Sequence, residues 1–128
     1  MDREELIRHA MSARENSYSP YSRFRVGAAL LCRDGEVYEG CNIENRAYGP
    51  TNCAERTAFF KAVSEGKREF SAIAIAGGEE ELIWCYPCGV CRQVMAEFCD
   101  PDTFEIICAK STEEYKVFTL EELLPHMF

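Results

Sequence analysis

Apolar positions follow two rhythms along the 128 residues. Leu6, Ile7, Ala10 and Met11 recur at three- and four-residue spacing, which predicts an amphipathic helix over residues 3–15, capped by Asp2 and broken at Ser19-Pro20. Phe24 to Cys32 is apolar-rich and ends at the turn signal Arg33-Asp34-Gly35, so Glu36 to Asn42 returns as the second strand of a hairpin. Residues 43–52 have no clear period and contain Gly49-Pro50, which predicts a loop. Thr51-Asn52 offers a cap to a helix reaching about Glu65, where Gly66 can end it. Phe70 to Ala76 reads as a buried strand, followed by a loop through Gly77-Gly78 and the acidic run Glu79–Glu81. Pro87 suits the first turn of a helix reaching about Phe98, stopped by Asp100-Pro101.

Thr103 to Cys108 is a fourth strand and Lys116 to Phe118 a short fifth. The connection between them is too short for a helical crossover, so they should pair antiparallel. Thr119-Leu120-Glu121-Glu122 has capping-box spacing and opens a last short helix. A hairpin followed by β-α-β-α-β predicts an α/β fold: a mixed five-stranded sheet covered by helices, in one domain over residues 1–128.

Composition narrows the chemistry. Lysine and arginine number 14 against 22 acidic residues, a net charge of −8. An acidic surface repels phosphate and argues against nucleic acid or an anionic membrane as partner. Eight cysteines suggest disulfides by their even count. But Met1 to Glu5 does not read as a signal peptide, and no apolar run could span a membrane. The expectation is a reducing, cytoplasmic compartment, where clustered cysteines bind metal or do chemistry.

Two clusters carry that chemistry: Cys53-Ala54-Glu55 and Pro87-Cys88-Gly89-Val90-Cys91. Cys88 and Cys91 are one helical turn apart, and Cys53 opens a different helix. If both helix N-termini point at one spot, three thiols converge where partial positive charge favours thiolate. Three thiolates suit one tetrahedral zinc ion and leave its fourth position open, the mark of a catalytic site. Glu55 then lies beside the metal without being a ligand and can carry protons between water and substrate. Arg56 can donate to thiolate sulfur and dampen the excess negative charge.

Asn52-Cys53-Ala54-Glu55-Arg56-Thr57-Ala58 and Pro87 to Met95 resemble the two zinc motifs of the small homotetrameric cytidine deaminases. Tyr21 to Leu30 and Gly40-Cys41-Asn42-Ile43-Glu44-Asn45 resemble further motifs of that family. The resemblance implies a three-layer α/β/α fold and hydrolytic deamination of cytidine and deoxycytidine in pyrimidine salvage. Zinc held by Cys53, Cys88 and Cys91 would activate water for attack at C4, with Glu55 as proton shuttle. It further implies that Asn42 and Glu44 hold the ribose hydroxyls, Phe24 packs on the pyrimidine and the Ala54 N–H donates to the base carbonyl. Phe128, together with Tyr48, would complete a neighbouring subunit's site in a homotetramer.

Three positions depart from the family pattern. Cys85 creates a second, overlapping Cys-x-x-Cys; as a fourth ligand it would close the site into a structural zinc module. Arg46 stands where the family more often has a small residue, which bears on recognition of the sugar 5′ end; separately, a deaminase of another cytosine nucleoside, such as blasticidin S, is the second enzyme reading. Val90 replaces a common alanine and reads as packing. Cys32, Cys41, Cys99 and Cys108 read as small core residues. His9 and His126 have no partner at ligand spacing.

Overall fold

A computed structural model describes residues 1–128. The elements are α1 (Arg3–Arg14), β1 (Arg25–Cys32), β2 (Val37–Cys41), α2 (Ala54–Ser64), β3 (Phe70–Gly78), α3 (Gly89–Phe98), β4 (Glu105–Ala109), β5 (Tyr115–Thr119) and α4 (Leu120–Leu123). The strands pair in the order β2-β1-β3-β4-β5. Only β3 and β4 run parallel; the other three pairings are antiparallel, β4–β5 among them.

Strand parity sorts the side chains into two cores, because successive residues of a strand face opposite sides of the sheet. Val26, Ala28 and Leu30 of β1, Ile73 and Ile75 of β3, and Ile106 and Cys108 of β4 pack on one face against Ala58, Phe59, Cys91, Met95 and Leu120. Ala29, Ala72, Ala74, Ala76, Ile107 and Ala109 take the other face, under Leu6, Ile7 and Ala10 of α1. The result is three layers, with α1 alone on its side. Phe59, Phe70, Phe98 and Phe104 form an edge-to-face and stacked group, with centroids 5.2–6.4 Å apart, that joins the middle of α2 to the last turn of α3.

The helices lie unusually close to the sheet. A Cβ on Gly27 would fall 2.0 Å from the Ala10 carbonyl oxygen, so α1 rests directly on the β1 backbone. A Cβ on Gly40 would fall 2.5 Å from the Ala58 nitrogen and 2.6 Å from the Ala54 oxygen, so α2 rests likewise on β2. The first turn of α2, where Cys53 to Arg56 sit, is thereby fixed to the sheet.

Three local expectations are corrected. The α2 N-cap is Cys53, not Thr51 or Asn52, and its side chain makes no capping bond. Thr51 instead accepts from the Asn45 N–H at 2.9 Å, and Asn52 bridges to Ile43. Pro87 precedes α3 rather than opening it, since Cys88 is the N-cap and Gly89 the first helical residue. Gly77 and Gly78 extend β3, paired with Val26 and Arg25, before the chain turns. Asp2 does cap α1, the capping box at Thr119 and Glu122 forms, and Gly66 follows α2 with φ 95°.

Candidate active site and metal centre

α2 and α3 begin side by side. Their N-caps, Cys53 and Cys88, have extended backbones and leave their side chains uncommitted to capping. Cys91 stands one turn inside α3. The three Sγ atoms all lie within 4.8 Å of one another, and Cys53 Sγ is 3.7 Å from Cys88 Sγ. A tetrahedral zinc with bonds of about 2.3 Å has sulfur–sulfur edges of about 3.8 Å. The donor set therefore fits zinc in spacing and in softness.

Arg56 Nη2 donates to Cys53 Sγ at 3.2 Å, while its buried Nε has no partner. Cys53 is held below the ordinary thiol range, first by the Cys91 thiol that donates to it and then by Arg56. Cys91, which keeps the shared proton, moves the opposite way. Glu55 is only 4% exposed. Burial, reinforced by negative charge on Cys53, pushes its carboxyl up to about 7, the range of a proton carrier at neutral pH.

In front of these groups opens a cavity of ≈ 270 Å³ bordered by Phe24, Asn42, Glu44, Cys53, Ala54, Glu55, Cys85, Tyr86 and Cys88, among others. Asn42 Oδ1 accepts from Ser17 Oγ at 2.5 Å and from the Val26 N–H at 2.9 Å, and its Nδ2 donates to the Phe24 carbonyl at 2.8 Å. Asn42 thus fastens the start of β1, and with it Phe24, and has one amide proton left to give. Glu44 accepts from the backbone N–H groups of Tyr21 and Ser22 at 3.0 and 3.1 Å, and from the Ser22 hydroxyl. Burial alone would raise its carboxyl, but these bonds together hold it below the ordinary value, so it stays a carboxylate.

Seven of the eleven sequence-selected residues border this cavity: Phe24, Asn42, Glu44, Cys53, Ala54, Glu55 and Cys88. Cys91 and Arg56 stand behind it and touch Cys53. Tyr48 and Phe128 do not reach it; they are 78% and 101% exposed on the same chain. Cys85 borders the cavity but is not one of the clustered thiols, so the closed four-cysteine arrangement does not form. Burial pushes its thiol up to about 12, and it stays neutral.

Sequence reasoning missed two supporting arginines. Arg14, 7% exposed, donates Nε to the Arg25 carbonyl at 3.1 Å, and Nη2 to the carbonyls of Gly78, Glu79 and Glu80 at 2.7, 3.2 and 2.9 Å. It ties both segments that flank Phe24 to α1. Arg92 donates to the carbonyls of Pro87 and Leu123 at 2.7 and 2.6 Å, fixing the chain that enters α3. No spacing rule marks an arginine whose partners are carbonyls distant in sequence.

Comparison with known proteins agrees with this geometry. The family model described as the cytidine and deoxycytidylate deaminase zinc-binding region matches residues 1–107. A cytidine deaminase of Halalkalibacterium halodurans is 53% identical over all of this chain and 95% of its own length. One from Sporosarcina psychrophila is 52% identical over all of this chain and 92% of its own. The crystal structure of cytidine deaminase from Burkholderia pseudomallei superposes with a TM-score of 0.91 at 47% identity, each chain fully covered. With its two paired helix starts, its clustered thiols and this match over most of its length, the chain belongs to the cytidine and deoxycytidylate deaminase family.

Proposed function

We propose that the protein is a zinc-dependent hydrolase that deaminates cytidine and deoxycytidine to uridine and deoxyuridine, releasing ammonia. The observation that carries this reading is a buried carboxyl, Glu55, set beside three clustered thiols at the floor of a nucleoside-sized cavity. Cys53, Cys88 and Cys91 would hold one zinc ion per chain. Bound there, zinc supplies the Lewis acidity that makes water a nucleophile at neutral pH.

The protein's own groups do the rest. Glu55 takes a proton from water and gives it to ring nitrogen N3, then takes the proton of the hydroxyl newly added at C4 and delivers it to the departing amine. Arg56 offsets part of the thiolate charge through its bond to Cys53. The Ala54 N–H, at the first position of α2, donates to the base carbonyl. Phe24 packs on the ring, and Asn42 and Glu44 take the sugar hydroxyls. A carboxylate at that place accepts from a neutral diol and repels phosphate, which favours nucleosides over nucleotides.

The exposure of Tyr48 and Phe128 supports their serving a neighbouring subunit's cavity in a homotetramer. No helix is long and apolar enough to cross a membrane. A cytoplasmic setting suits the site, because three clustered cysteines stay available for a metal only where thiols are kept reduced.

The test is zinc content together with the fall in cytidine absorbance, repeated with deoxycytidine, dCMP and blasticidin S. One zinc per chain with turnover of both nucleosides is expected. Turnover of dCMP or blasticidin S without cytidine would overturn the substrate assignment.

A further inference from the structure

Cys85 is the one cysteine of the cavity wall that takes no part in the thiol cluster. The chain enters this stretch through a bridge between Ile83 and Gly77, the Ile83 N–H donating to the Gly77 carbonyl at 2.9 Å. Trp84 and Tyr86, on either side, meet Lys116, whose Nζ lies 4.4 Å from the Trp84 ring centroid and 3.3 Å from the Tyr86 hydroxyl. Cys85 is set instead against β3. A Cβ placed on Gly77 would lie 2.8 Å from Cys85 Sγ and 3.2 Å from Phe24 Cε1. The thiol and the aromatic ring therefore share one backing, the bare backbone of Gly77, and neither can retreat from the cavity.

The chemistry of the pyrimidine says which part of it meets this wall. In the orientation proposed above, the amine faces the thiols, N3 faces Glu55, the carbonyl faces Ala54 and N1 carries the sugar. The C5–C6 edge is what remains, and it has no hydrogen-bonding group. With Phe24 on the ring face, Val26, Cys85 and the Tyr86 ring are the wall side chains left to receive it, and of these Cys85 shares the Gly77 backing with Phe24. We propose that Cys85 is a specificity-determining residue whose size sets how large a substituent at C5 of the cytosine ring the cavity accepts. This rests on the nucleoside reading given above. A small neutral thiol with a glycine behind it leaves space that a leucine would fill. An alanine would enlarge that space.

The experiment compares the zinc-loaded wild-type protein with Cys85→Ala and Cys85→Leu, each checked for one zinc per chain. The measured quantity is kcat/KM for 5-methylcytidine divided by kcat/KM for cytidine. The ratio should rise at least about threefold in Cys85→Ala and fall about tenfold in Cys85→Leu, the range set by one methylene-sized change in an apolar pocket. A ratio within about twofold of wild type in every zinc-loaded variant overturns the proposal. Where Cys85→Leu does not fold, Cys85→Ala decides alone. A second measurement does not depend on turnover: the dissociation constants of the two products, uridine and 5-methyluridine, measured by calorimetry in zinc-loaded wild type and Cys85→Ala. The ratio should shift in favour of 5-methyluridine in the variant, and an unchanged ratio overturns the placement of Cys85 against the ring. A wild-type protein inactive on cytidine refutes the nucleoside reading instead, so the two failures are distinct.

Discussion

Glu55 concentrates the chemistry of the site in one side chain. It is buried, beside the thiol cluster, and not itself a member of it. Glu55→Gln keeps the shape and removes the titratable oxygen. The expected outcome is full zinc content with kcat lowered about 10²–10⁴-fold, read by metal analysis and steady-state kinetics. Near-native turnover would exclude the assigned proton carrier. The remaining thiols make a separate prediction. Burial pushes Cys99 and Cys108 up to about 12. In the unfolded chain they ionise near the ordinary thiol value of 9.0, so between these limits the folded state binds more protons. Their contribution to stability is complete below about 9 and is lost as pH rises toward 12. The melting temperature of the zinc-loaded protein should fall over that window, and fall less steeply in a Cys99→Ala, Cys108→Ala double variant. An equal slope in both proteins would refute the assignment.

Elements were more legible than their ends. Order, parity and the mixed sheet follow from alternation and period, because burial on two opposite faces leaves a signal in every strand. The starts of α2 and α3 did not follow the capping rules, unlike those of α1 and α4, since those rules rank asparagine and threonine above cysteine. Here α2 and α3 both start on cysteines that offer their sulfurs elsewhere. Phe24 could have been ordinary core by its sequence pattern, and only the family motif singled it out. Nothing in the spacing distinguished Cys85 as a wall from Cys85 as a ligand; that took the position of Gly77. The close seat of α2 on β2 yields a further test. Gly40→Ala places a methyl group 2.5 Å from backbone that cannot swing aside. We expect it to destabilise the protein by about 1–3 kcal/mol in urea unfolding and to weaken zinc retention, because the first turn of α2 must lift. Unchanged stability with unchanged zinc would show that α2 is not held by this contact.

A single chain leaves Tyr48 and Phe128 with nothing to cover. Exposed aromatics are also found at Tyr18, Tyr21 and Tyr86, around the cavity mouth and its neighbourhood. An assembly that caps each cavity with a neighbour's C-terminus accounts for both facts. Removing Met127 and Phe128 should then raise KM for cytidine while single-turnover chemistry persists. Sedimentation of the intact protein should give a tetramer; an active monomer would contradict the shared site. Family resemblance alone singled out these two positions. In the proposed assembly their partners lie on another copy, and no periodicity within one chain records such a contact.

The bare N-caps of α2 and α3 also bear on how the protein behaves as it loses metal. α1 and α4 have oxygen caps that satisfy their first N–H groups at all times, at Asp2 and at Thr119. The two cysteine-started helices forgo that bond, worth about 1 kcal/mol in ordinary helices, and depend on a bridging ion to hold their first turns together. Chelation should therefore unzip the protein from its centre outward. In deuterium exchange, amides 54–57 and 89–92 should lose protection first, with those of α1 still closed. An apoprotein that instead frays from its termini would show that the helix starts are rigid without metal.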